Sequence, residues 1–192
     1  MANRMKALTG PQAKNVYTYL KGKGNSRDVL LWSLGITTGL RVSDLLALTW
    51  SDFTGADGEI VETVTVKETK TEQTRTIDVL TIAREALVAR QNEIRPEAAD
   101  YLFAGRTGAP ITREQARRLV KQWCADCNLS GDFGTHTMRK AFATVAYQHS
   151  GGDPVATARV TGHRNPMQLM AYIGVTTRTE KQITRGIDKA FS

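Results

Sequence analysis

Residues 26–40, "SRDVLLWSLGITTGL", constrain the fold more than any other stretch of the chain. Val29, Leu30, Trp32, Leu34 and Ile36 make a largely buried helix, capped by Ser26 and ended by Gly39. A helix that is apolar on most sides must be covered by other elements, which places it inside a helical domain. It is also far shorter than the roughly 20 apolar residues that span a bilayer. The opening "MANRMKALTG" lacks the apolar stretch of a secretion signal, so the chain is read as cytoplasmic, without a membrane partner.

Around this helix the pattern is helical with one interruption. Pro11, Val16 and Leu20 predict a first helix to about Lys21, and "RVSDLLALTW" predicts a short one after Gly39. Then "EIVETVTV" alternates and is rich in β-branched residues, "KETKTEQT" is polar, and "RTIDVL" is extended again, so the three form an antiparallel hairpin. Helices resume from Ile82 to Ile94 and again after Thr112, which has capping-box spacing to Gln115. Others cover "HTMRKAFATVAYQHS", "PVATARV" after Asp153, and the stretch opened by Pro166. A last amphipathic helix runs from about Glu180, with Ile183, Ile187 and Phe191 on one stripe. The fold class is mainly α with a small antiparallel β-sheet, in a single domain over residues 1–192.

Charge points to a polyanion. The net charge is +7, but residues 31–100 hold seven basic and twelve acidic side chains, while 1–30 hold six and one, and 101–192 thirteen and six. Two basic ends around a neutral-to-acidic middle suit nucleic acid, since each cation that meets a phosphate releases counterions. The two cysteines, Cys124 and Cys127, form a C-x-x-C without a second pair in a helical pattern, which reads as reduced thiols near a core.

Several polar residues stand at element ends. Arg41 follows a glycine turn, His136 and Arg139 lie one helical turn apart on one face, and Lys70 sits on the hairpin turn. His163 follows Gly162, and Tyr172 lies among Leu169, Met170 and Ile173 on a short helix. Taken singly, each has an ordinary reading as a solvated cation, a surface pair or a core aromatic.

In order, R-x-x-D, a hairpin lysine, H-x-x-R-K, G-H and a following tyrosine resemble the tyrosine recombinases, the phage-integrase-like family of site-specific DNA strand-transfer enzymes. The resemblance covers nearly the whole chain and implies the tyrosine recombinase catalytic-domain fold. It makes Arg41, Lys70, His136, Arg139 and His163 catalytic, Tyr172 the nucleophile and Asp44 a supporting acid. Lys67 competes with Lys70 for the lysine role, and Lys140 and Arg164 are candidates for contacting DNA. It implies double-stranded DNA as partner, a tetramer on two DNA sites, accessory DNA-bending proteins, and association with the nucleoid. The helix over 178–192 is expected to pack at home or on a neighbouring protomer. No separate N-terminal core-binding domain is expected. The implied chemistry, a 3′-phosphotyrosine intermediate, calls for no metal or other cofactor. The alternatives are a type IB topoisomerase-like nicking and closing enzyme and a catalytically inactive DNA-binding accessory factor.

Overall fold

A computed structural model describes residues 7–174 together with positions 184, 185 and 188. In chain order the elements are α1 (Gly10–Lys23), α2 (Ser26–Thr37), α3 (Val42–Leu46), a 3-10 turn at Trp50–Asp52, β1 (Thr63–Lys67), β2 (Thr74–Asp78), α4 (Thr81–Ile94), α5 (Arg113–Asp126), α6 (Thr135–His149), α7 (Pro154–Thr161) and α8 (Pro166–Ile173). Helix α2 is central, packed by α1, α4 and α6. Its Leu30, Leu31, Trp32 and Leu34 are fully buried, as its apolar run requires, and each such side chain contributes about 1.5–3 kcal/mol. Trp32 stands edge-on to Trp123 with ring centroids 6.0 Å apart, and its indole N–H donates to the Ala13 carbonyl at 3.0 Å.

Local chemistry sets the element ends, sometimes a few residues from the sequence reading. Asn25, not Ser26, caps α2, its side chain accepting the Asp28 N–H at 3.2 Å. Gly24 closes α1 in the left-handed region with φ 73°, so Asn25 is the single link left and Ser26 is already helical. Helix α3 is shorter than "RVSDLLALTW", because Leu48 and Trp50 turn into the core and Thr49 opens the 3-10 turn. The Thr49 N–H donates to Asp52 Oδ2 at 2.8 Å. Thr112 and Gln115 make the expected capping box at α5.

The hairpin pairs Thr63 with Asp78 through Lys67 with Thr74, turning Val64, Val66 and Ile77 inward. Its first strand begins at Thr63 rather than Glu59, since Ile60 bridges to Thr54 and the Val61 N–H donates to the Phe53 carbonyl. Residues 68–73 form the turn.

Beside the main core lies a small second cluster, Ala143, Ala158 and Leu169, with Tyr172 and Ile173 packed on it. Cys124 is buried, Cys127 is half-buried, and both are free thiols. Burial pushes the Cys124 thiol up to about 12, with Cys127 adding to it, which makes it inert. Glu180, Ile183, Ile187 and Phe191, assigned to the last helix, lie outside the described residues. Among the described residues no helix is long and apolar enough to cross a membrane.

Candidate active site

The glycine turn after α2 places the first arginine and grips the second. Gly39 has φ 62°, and a Cβ there would lie 2.3 Å from Phe142 Cδ1, so glycine is required by conformation and by space. Its carbonyl accepts from Nη1 of Arg139, two residues before Arg41 enters α3 at the cap position.

Arg41 forms an ion pair with Glu68, a residue 1% exposed at the start of the hairpin turn. Glu68 Oε2 also accepts from the Thr71 hydroxyl at 3.2 Å, and Oε1 lies 3.5 Å from Arg75 Nη2. Arg75, on β2, donates onward to the carbonyls of Thr38 at 3.0 Å and Val160 at 2.5 Å. Asp44 is buried and accepts the Thr69 N–H at 3.0 Å, so it supports the hairpin turn rather than pairing with Arg41. Lys70 stands exposed on that turn, close enough to His136 for its charge to lower the imidazole pKa. Lys67 is exposed at the end of β1, opposite Thr74.

The other wall comes from α6, α7 and α8. Arg139 is 4% exposed, and its Nη2 has no hydrogen-bond partner among the described residues. Burial lowers its pKa first and Arg41 adds to this, yet a guanidinium remains charged at neutral pH. His136 is solvent-exposed at the start of α6; desolvation of its ring, then Arg139, Arg41 and Lys70, lower its pKa. His163 is pushed down to about 4 by burial and then by Arg139, Arg41 and Arg75. Both imidazoles are therefore neutral near pH 7.

Tyr172 is half-buried, its ring centroid 5.3 Å from that of His163. Its hydroxyl donates to the His136 backbone carbonyl at 3.2 Å. Burial raises its pKa to about 12 against the opposing pull of Arg139 and Arg41, so the resting phenol is protonated. The Thr161 hydroxyl lies 2.7 Å from His163 Nδ1 and 2.8 Å from the Thr157 carbonyl. Its single proton serves one of them: given to His163 it leaves Nε2–H as a donor, given to Thr157 it leaves Nε2 as an acceptor.

Arg41, His136, Arg139, His163 and Tyr172, about 130 residues apart at the extremes, are thus brought into one cleft with the Lys70 turn at its edge. The two candidates for contacting DNA, Lys140 and Arg164, sit in different settings. Lys140 is 7% exposed with its ammonium 5.7 Å from the centroid of the Tyr172 ring. Arg164 is exposed but donates to the Thr71 carbonyl at 2.5 Å, tying its loop to the hairpin. Sequence reasoning missed Glu68, Arg75 and Thr161. The first two lie within or beside a polar run that reads as solvated turn, and a buried charge there leaves no hydropathy signal.

Solved structures share the fold. It is similar to the XerA recombinase (TM-score 0.74, 18% identity, 94% of this chain and 64% of that one). It is similar also to the XerH site-specific recombinase bound to palindromic difH substrate in a post-cleavage complex (TM-score 0.73, 22% identity, 98% and 54%). This chain shares the fold of both recombinases and is itself mainly helical with one small antiparallel sheet. The phage integrase family matches residues 6–178, and the chain belongs to that family, the tyrosine recombinases. Among relatives, it is 33% identical over 178 residues to the probable integrase/recombinase YoeC of Bacillus subtilis strain 168, covering 91% of this chain and 93% of that protein. It is 27% identical over 174 residues to the tyrosine recombinase XerD of Halalkalibacterium halodurans, covering 88% of this chain but 54% of the relative. The chain therefore spans nearly all of the first relative and about half of the second.

Proposed function

We propose that this chain is a site-specific DNA recombinase that cleaves and rejoins strands through a 3′-phosphotyrosine intermediate on Tyr172. The observation that carries the reading is the meeting of two guanidinium groups beside a tyrosine hydroxyl. Arg139 offers a buried nitrogen that lacks a partner among the described residues, and Arg41 keeps 23% of its side chain open to solvent. A phosphodiester repels nucleophiles until its nonbridging oxygens are neutralised, and planar, permanently charged forks suit that task. Related recombinases have been captured on DNA, XerH after cleavage of its difH substrate among them.

The reaction exchanges one ester for another. Tyr172 Oη leaves the His136 carbonyl, attacks phosphorus and gives its proton to the neutral His136 imidazole. The P–O5′ bond breaks, and Lys70 protonates the departing 5′ oxygen. Arg41 and Arg139 hold the nonbridging oxygens while His163 orients the phosphate. A 5′ hydroxyl, from the same or a second duplex, reverses the steps and releases Tyr172. Because bond energy is kept in the phosphotyrosine ester, the exchange consumes no nucleotide.

Joining two duplexes breaks four strands, so four copies on two DNA sites are required if each supplies one tyrosine. Beyond the cleft, Arg113, Arg117 and Lys121 lie exposed at four-residue intervals on one face of α5, a second surface suited to DNA phosphates. Cytoplasmic DNA is the expected setting.

The test is to mix the protein with two labelled duplexes and, separately, a supercoiled plasmid, each bearing DNA from its own genetic neighbourhood. Recombinant joints are expected. Relaxation without joints would favour the topoisomerase alternative, and binding without either reaction would favour the accessory factor.

A further inference from the structure

We propose that Glu68 is a positioning residue of this site, one that holds Arg41 by one edge so that the rest of its fork meets the scissile phosphate; this rests on the strand-transfer reading above. Three parts of the cleft converge on this carboxylate. Oε2 engages Arg41 Nη1 from the α3 cap and the Thr71 hydroxyl from the turn that carries Lys70. Oε1 faces Arg75 at 3.5 Å. The third part is the turn before His163: a Cβ at Gly162 would lie 2.8 Å from Oε1, so the backbone there rests directly on the carboxylate.

A purely neutralising role for Glu68 does not account for this arrangement. Arg75 already has two carbonyl partners, whereas Arg41 keeps 23% of its side chain open to solvent. A long, flexible side chain left there would sample many rotamers, and each unit of order must be supplied by a contact. Glu68 supplies it from a turn anchored at both ends, by the Asp44 carboxylate on the Thr69 N–H and by Arg164 on the Thr71 carbonyl. The same carboxylate balances part of the repulsion among Arg41, Arg75 and Arg139, which all lie within reach of one another. Removing its charge while keeping its shape should therefore loosen Arg41 more than it weakens the grip on DNA.

Two measurements test this on the full chain, with thermal unfolding of each variant confirming a folded domain. The first follows the nitrogen-15 guanidinium resonances without DNA, the Arg41 signal being assigned by its loss in Arg41→Lys. The parent should show a slowly rotating Arg41 fork, and Glu68→Gln an averaged one; equal order in both overturns the proposal. The second compares single-turnover cleavage and equilibrium DNA binding. Glu68→Gln should cleave about 10- to 100-fold more slowly at saturating DNA, with affinity unchanged or slightly higher, and Glu68→Asp should recover part of the rate. In an Arg41→Ala background the same substitution should add little. A full penalty in that background, or a normal rate in Glu68→Gln, overturns the proposal. A parent that never cleaves while Arg41 loosens in Glu68→Gln would instead overturn the strand-transfer reading and leave the grip on Arg41 standing. Should Glu68→Gln not fold, Glu68→Asp, which keeps the charge on a shorter stem, is carried through both measurements. A partly loosened Arg41 fork with a several-fold slower cleavage that vanishes in the Arg41→Ala background supports the proposal, and an Arg41 fork and rate equal to the parent's overturn it.

Discussion

The two walls of the cleft are built differently. The Arg41 wall is a buried ionic network, with Glu68 and Asp44 nearly inaccessible and Arg75 bonded to two carbonyls from separate elements. The Tyr172 wall rests on a three-residue apolar cluster, and the Tyr172 hydroxyl is held by one 3.2 Å hydrogen bond to a backbone carbonyl. The difference teaches a division of labour. On the proposed reaction, the groups that would bind the phosphate are fixed in advance, while the hydroxyl that would move toward phosphorus is lightly held.

That comparison can be broken at either wall. The largest effect is expected from Arg139→Ala, which removes a buried cation from the Gly39 carbonyl and from the phosphate. Cleavage should fall about 1000-fold, roughly 4 kcal/mol, in single-turnover assays. Leu169→Ala, in the small cluster, should cost about 2–3 kcal/mol in urea unfolding. It should also expose residues near Tyr172 to hydrogen exchange before those of α2, if the Tyr172 wall is the weaker one.

A smaller effect concerns pH. His163 has its folded pKa pushed down to about 4 from an ordinary 6.5, so as pH falls the unfolded chain takes up the proton first. Its contribution to stability is complete above about pH 6.5 and is lost between there and pH 4, about 2 kcal/mol after allowance for partial exposure. Urea midpoints for the parent should fall more steeply across that window than those of His163→Gln, which removes this titration but keeps that of His136. The smallest effect is expected from Thr161→Val, near in shape but without the hydroxyl that touches His163. Cleavage should slow a few-fold, below about 1 kcal/mol, and stability should hardly change.

Much of this was legible in the chain. The apolar periodicity of α2, the alternation of the hairpin and the capping pair Thr112 and Gln115 report contacts made within a few residues, and they read correctly. Arg41, His136, Arg139, His163 and Tyr172 were legible as an ordered series, and the structure brings them into one cleft. Glu68 and Arg75 were not, because their significance lies in partners far away in sequence: Arg41 is 27 residues from Glu68, and Val160 is 85 from Arg75. A carboxylate within "KETK" looks solvated until the turn folds onto the His163 loop. Nor was the setting of Lys140 legible, since only the helix rotation shows that its ammonium lies buried beside the Tyr172 ring.

The central claim is that Tyr172 becomes joined to DNA. The parent and Tyr172→Phe should be incubated with nicked suicide duplexes, the DNA digested, and the protein analysed by mass spectrometry for a nucleotide remnant. A remnant on the peptide containing Tyr172, absent from Tyr172→Phe, is the predicted result. DNA binding with no adduct on any duplex, or an adduct that persists in Tyr172→Phe, would contradict it.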